Sequence, residues 1–184
     1  MNSLTLRKLE YERIIEMVSA ECSSSLGKRK AEELAPVTDY DDILNWQKET
    51  SEGVLVRRLE PNIPLGGLAD LSRQIRKAQI GGVLEPEEFL QLLDMLKACK
   101  RMSNFFLERK RTYEIPRLEW WAGQITLLPE LEREIDDIIA PEAIVRDSAS
   151  QELLTVRRKI NTLKNRIRER LEHIVCSESS SKYL

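Results

Sequence analysis

The sequence has little of what catalytic and metal sites are built from. Its 184 residues hold one histidine, His173, and three cysteines, Cys22, Cys99 and Cys176. The cysteines lie 77 residues apart in unlike surroundings (AECSS, KACKR, IVCSE), so no close pair exists to form a Cys/His zinc site. An odd number of scattered thiols is no disulfide framework and fits a reducing cytoplasm. A Ser-His-Asp or Cys-His mechanism would have to use His173, which sits among Arg170, Glu172 and Ile174 as a solvated helix residue. Aromatic residues make up 5%, too few for a β-sandwich. No excess of one charge sign exists either: 29 Lys and Arg face 31 Asp and Glu, which excludes a wholly basic nucleic-acid binder and a polyanionic tail. The opening MNSLTLRKLEYERII has no long apolar run, so neither a signal peptide nor a membrane span is expected.

What is present is helical periodicity with short punctuation. Residues 4–22 carry Leu6, Leu9, Ile14, Met17 and Val18 with a break expected near Glu10. Serines 23–25 offer a cap for a helix ending at Leu34, and Pro36 stops it. Asp39, Asp41 and Asp42 suit the start of the next helix, which runs to about Leu59. PNIPLGG and Gly81-Gly82 read as breaks around a short helix at 69–80, and Pro86 opens a long helix through Phe89, Leu92, Leu93, Leu96 and Cys99. Pro116 and Pro129 introduce two more. No segment alternates like a strand. The fold class is all-α, and the last and longest helix runs over about 150–177, capped by Ser150.

That last helix carries Leu153, Val156, Ile160, Leu163, Ile167, Leu171 and Ile174, at spacings of 3, 4, 3, 4, 4 and 3. This is a narrow heptad-like seam with one stutter, the pattern of a helix that pairs with one partner helix. Residues 151–184 hold eight basic and four acidic groups, a net +4 that leaves net −6 on the rest. Arg157, Lys164 and Arg168 form a stripe able to lie along phosphates, without interleaved aromatics for base stacking.

Other motifs lead nowhere catalytic. Gly27-Lys28 resembles the end of a phosphate-binding loop, but Cys22 and Arg29 stand where glycine and Ser or Thr are required. Paired carboxylates (Asp41/Asp42, Glu87/Glu88, Asp136/Asp137) fall in charge-rich helical turns, not in an apolar cleft. Trp120-Trp121 reads as core packing, with one ring inward and its neighbour at an edge, and a domain-interface contact is the alternative.

Specific strings then accumulate in order: TLRKLEYERI (5–14), SLGKRKAEEL-P (25–36), PLGGLAD (64–70), IGGVLEPEE (80–88) and VRDSASQELLTVRRKI (145–160). Together they resemble the N-terminal region of the MutS-II family, the second bacterial MutS paralogue, over essentially all 184 residues down to the closing KYL. Gln151 and Glu85 depart from the family pattern, both at helix starts. The resemblance implies a fragment, itself neither an enzyme nor a cofactor binder, at the front of a longer cytoplasmic protein. A clamp would follow, then a dimerising ATPase using ATP and Mg, and usually a C-terminal Smr nuclease. Such proteins bind DNA and suppress homologous recombination on branched DNA, and they act in rescue of collided ribosomes. The implied partners are therefore branched DNA, the ribosome, the remainder of the same chain and a second copy of the parent, with no membrane. On that resemblance residues 1–145 form a helical core domain and residues 150–177 a lever-type helix, which would couple the ATPase to the clamp. In the parent its seam would pack on a returning lever helix from later in the chain, so for these 184 residues a concentration-dependent dimer through the last helix is expected. A free-standing helical adaptor, binding a protein partner through the same seam, is the alternative from a different class.

Overall fold

A computed structural model of the chain describes residues 3–109 and 111–176. The chain is essentially all-α, and it divides into two compact units, Met1–Arg133 and Glu134–Leu184. The end of the expected last helix beyond Cys176, with Lys182 and the closing KYL, lies outside the described residues.

In the first unit, α1 (Ser3–Lys8) and α2 (Tyr11–Ala20) are separated by Glu10, whose left-handed φ of 51° breaks the helix where expected. Ser24 caps α3 (Ser25–Glu32) by accepting from the Gly27 amide at 3.1 Å. Asp39 caps α4 (Tyr40–Leu59), its carboxylate taking the Asp41 and Asp42 amides at 3.0 Å each. In both cases a short polar side chain satisfies amides that a helix start leaves without a backbone partner. The loop after α4 approaches α6 (Pro86–Arg109) closely at Gly67, where φ is 87° and an added Cβ would sit 3.3 Å from Ala98 Cβ. Glycine is required there twice over, by conformation and by space. Between them α5 (Ser72–Gln79) is tied to α6 by Lys77–Glu88 at 2.6 Å and Gln74–Gln91 at 2.7 Å.

A buried apolar cluster joins α4, α6 and the start of α7 (Pro116–Gly123). Val56, Phe105 and Ile115 are buried together, with Ile63, Phe106, Tyr113 and Leu118 against them. The Arg109 guanidinium lies 3.9 Å from the Phe105 ring centre and pairs with Glu60 at 3.1 Å, closing the cluster's edge. The tryptophan pair corrects the expectation of core packing. Trp120 and Trp121 are 50% and 49% exposed and stack edge-on with their centres 4.7 Å apart. Arg117 lies over Trp120, and the Trp121 indole donates to Glu49 at 3.0 Å.

Helix α8 (Pro129–Ile138) leads into the second unit. There the expected absence of strands fails locally: β1 (Ile139–Ala140) and β2 (Ile144–Val145) pair antiparallel, Ile139 with Val145 and Ala140 with Ile144. The turn places Ala143 at φ 57°, a position that normally favours glycine. A 3₁₀ turn, Asp147–Ala149, precedes α9 (Gln151–Val175).

Few apolar side chains are buried. Ile80 and Val83 are each 81% exposed, and much of α9's apolar stripe shares that openness.

Candidate helix-pairing surface

Helix α9 is well anchored at its start. The Ser150 backbone is extended and its hydroxyl accepts from the Leu153 amide at 3.1 Å, an N-cap that fixes where the helix begins. Arg157 reaches back one turn. Its guanidinium donates to the Val145 carbonyl at 2.8 Å and pairs with the Asp147 carboxylate, bracing hairpin, 3₁₀ turn and helix together. From there 25 residues run without a kink-forming residue, about 37 Å at ~1.5 Å per residue.

No residue of α9 is buried. Leu153 is half-buried next to the cap. Val156, Ile160, Leu163, Ile167 and Leu171 are between 44% and 58% exposed, and Ile174 is similarly open. The seam that the spacing describes is therefore an apolar stripe facing water along most of the helix.

The predicted phosphate stripe divides. Lys164 and Arg168 are exposed, but Arg157 is held by Asp147 and Val145, so it braces the helix start and is not a free cation. At about 100° per residue, Lys159, Arg166 and Arg170 border one edge of the apolar stripe, and Arg157 and Lys164 border the other. Arg168 lies on that second edge too, as far from the middle of the seam as Arg166 is on the first.

Among the described residues no catalytic constellation is assembled. Hollows of about 450 and 380 Å³ run along α9, and another of about 470 Å³ runs along α4 beside Val37 and Trp46. Each is walled chiefly by one helix and cannot exclude water from a substrate. Among the described residues no group of three His, Cys, Asp or Glu side chains gathers as a metal site. Gly27 lies in the first turn of α3 with its amide on Ser24, which leaves no loop to cradle a phosphate. The Ser72 hydroxyl and amide, with Arg29, hold Asp70 below the usual carboxylate range, and the Lys77 ammonium and Glu85 amide do the same for Glu88. Both shifts favour the ionised form, the opposite of what a general acid needs.

Sequence reasoning missed the polar hub behind the tryptophans. Glu49 accepts from Arg117 at 2.7 Å and from Trp121, while Glu52 accepts from the Arg117 and Leu118 amides at 3.2 and 2.9 Å. These partners are 65–72 residues apart, and no local spacing rule reaches that far. No helix among the described residues is long and apolar enough to cross a membrane.

No family model matches the chain. Individual relatives do. A protein of Alkaliphilus oremlandii named "Endonuclease MutS2" is 40% identical over 184 residues, all of this chain and 23% of the relative. One of the same name from Pelotomaculum thermopropionicum is also 40% identical over the whole chain and 23% of its own length. A third, from a Geobacillus species, is 35% identical over 185 aligned residues, again the whole chain and 24% of the relative. The chain thus spans about a quarter of the length of the curated relatives it matches.

Proposed function

We propose that the chain belongs to the MutS2 family, whose members it matches over its whole length, and that it is the helical core and outgoing lever of a longer MutS2 protein. The observation that carries this reading is α9 itself: a continuous helix, capped and braced at its start, whose apolar stripe is uncovered along its length. A rigid arm with an open pairing face is what a mechanical link between two parts of a larger protein requires.

On this proposal the 184 residues catalyse nothing. They do not fit ATP and Mg, since the Gly27-Lys28 stretch is helical and capped internally. Nucleotide binding, dimerisation and Smr-type nuclease chemistry belong to the remainder of the parent, in the cytoplasm. DNA, branched DNA above all in suppression of recombination, or the ribosome in rescue of collisions, is engaged there too. What this region contributes is coupling: movement at one end of α9 is carried to the other because the helix bends little over its length.

The test is made in the full-length parent. Ile160→Glu with Ile167→Glu places two charges on the stripe without touching the buried cluster around Val56. Basal ATP hydrolysis is expected to persist while the nucleotide dependence of DNA affinity collapses. An unchanged nucleotide dependence overturns the coupling role.

A further inference from the structure

The proposed function requires a partner for α9, and the borders of its stripe say what kind. A helix pair meets along its apolar seam, and the residues flanking that seam face the partner's flanks. Here both borders are basic: Lys159, Arg166 and Arg170 on one side, Lys164 and Arg168 beside Arg157 on the other. Lys159, Lys164, Arg166 and Arg170 make no ion pair among the described residues, whereas Arg157 is engaged with Asp147. Glu152, in the first turn, is the one acidic residue on either border. Glu169 and Glu172 lie on the far side of the helix, where they cannot neutralise the flanks.

This pattern opposes the expected self-pairing. A parallel second copy would set Lys159 of one helix against Lys164 of the other. An antiparallel copy would bring like borders together, Lys164 opposite Lys164 and Lys159 near Arg166. Both arrangements juxtapose like charges beside the seam, the device by which helices reject wrong partners. A nucleic-acid backbone matches the cations but not the surface between them. Lying on phosphates, α9 would press Ile160, Leu163 and Ile167 against charged groups or leave them in water.

We propose that the α9 stripe is the docking surface for a single amphipathic helix whose two flanking rows are acidic. Its apolar row would cover Val156, Ile160, Leu163 and Ile167, and its carboxylates would lie against Lys159, Lys164, Arg166 and Arg170. This deepens the proposed function by naming the chemistry of the coupled element.

Two synthetic helices with the same apolar seam, one flanked by Glu and one by Lys, are the probes. Fluorescence anisotropy with the 184-residue chain should show the Glu-flanked helix binding at least about tenfold more tightly at low salt, with the gap narrowing as salt rises. The Lys159→Glu, Lys164→Glu, Arg166→Glu variant, whose circular dichroism should match the parent sequence because all three side chains are exposed, should reverse the preference. Equal binding of the two probes overturns the proposal. So does self-association as tight as binding of the Glu-flanked helix, and so does duplex DNA bound more tightly than that helix at physiological salt. Because the probes are synthetic, the two readings fail separately. Failure of the parent's remainder to bind the chain would remove the coupling role and leave the flank chemistry standing.

Discussion

Replacing Glu52 tests how the first unit is held together, because α7 cannot cap itself. Pro116 opens that helix and has no amide hydrogen, and the Glu119 amide already bonds to the Ile115 carbonyl at 2.9 Å. The amides of Arg117 and Leu118 are left, and Ile115 at the cap position has no side-chain acceptor. Both go to the Glu52 carboxylate of α4, at 3.2 and 2.9 Å. The carboxylate also sits at the positive end of the helix. Glu52→Ala removes two charge-assisted hydrogen bonds, and water reaches the half-buried site well enough to replace part of them. A cap of this kind is worth about 1 kcal/mol and a hydrogen bond to a charged group ~1.5–3 kcal/mol, so a net loss of about 2 kcal/mol is expected. Glu52→Gln keeps an acceptor oxygen and loses the charge, and should cost about half as much. Urea denaturation followed by tryptophan fluorescence reads the change where it occurs, since Trp120 and Trp121 are on α7. A Glu52→Ala variant within about 0.5 kcal/mol of the parent sequence, the range of an ordinary surface substitution, refutes the capping account. Equal losses for Ala and Gln assign the effect to charge alone.

Other expectations follow from burial, charge and titration. Ile115→Ala, at 1% exposure, should lose about 2–5 kcal/mol in the same denaturation assay, whereas Ile160→Glu with Ile167→Glu should shift it by under about 1 kcal/mol. Asp70 and Glu88 titrate below their ordinary values, so their contribution is complete above about pH 4–5 and is lost as pH falls through the depressed values. Asp70→Asn should accordingly flatten the acid limb of a stability–pH profile, and an unchanged limb would refute the role of the Arg29–Asp70–Ser72 contact. Duplex DNA should bind the isolated chain weakly and without sequence preference. Neutralising Lys164 and Arg168 should reduce the slope of log affinity against log salt by about 1–2, and tight binding that survives high salt would contradict this.

The helix starts at Ser24, Asp39, Pro86 and Ser150 were legible because each is a local event, a side chain or a fixed φ acting within three residues. Glu10 was legible as a break for the same reason. The hairpin at 139–145 was not: two residues per strand show no alternation, and Ala143 occupies the left-handed position where glycine would have marked the turn. Trp120-Trp121 misled because hydrophobic bulk suggests burial, while Glu49, far away in the chain, holds one indole at the surface. For the candidate surface, spacing identified the seam but could not say whether anything covers it. Spacing also placed Arg157 in a phosphate stripe, and only the folded turn at Asp147 reveals its bracing role.

The α9 stripe is open in this chain, and on the proposed function it is covered in the parent protein. Hydrogen–deuterium exchange across residues 156–171, measured in the 184-residue chain and in the proposed full-length parent, tests this directly. Exchange should be fast in the isolated chain, because nothing packs on the helix to suppress its opening, and slower by orders of magnitude in the parent. Equal exchange rates in the two proteins would contradict the claim, whether both were fast or both protected.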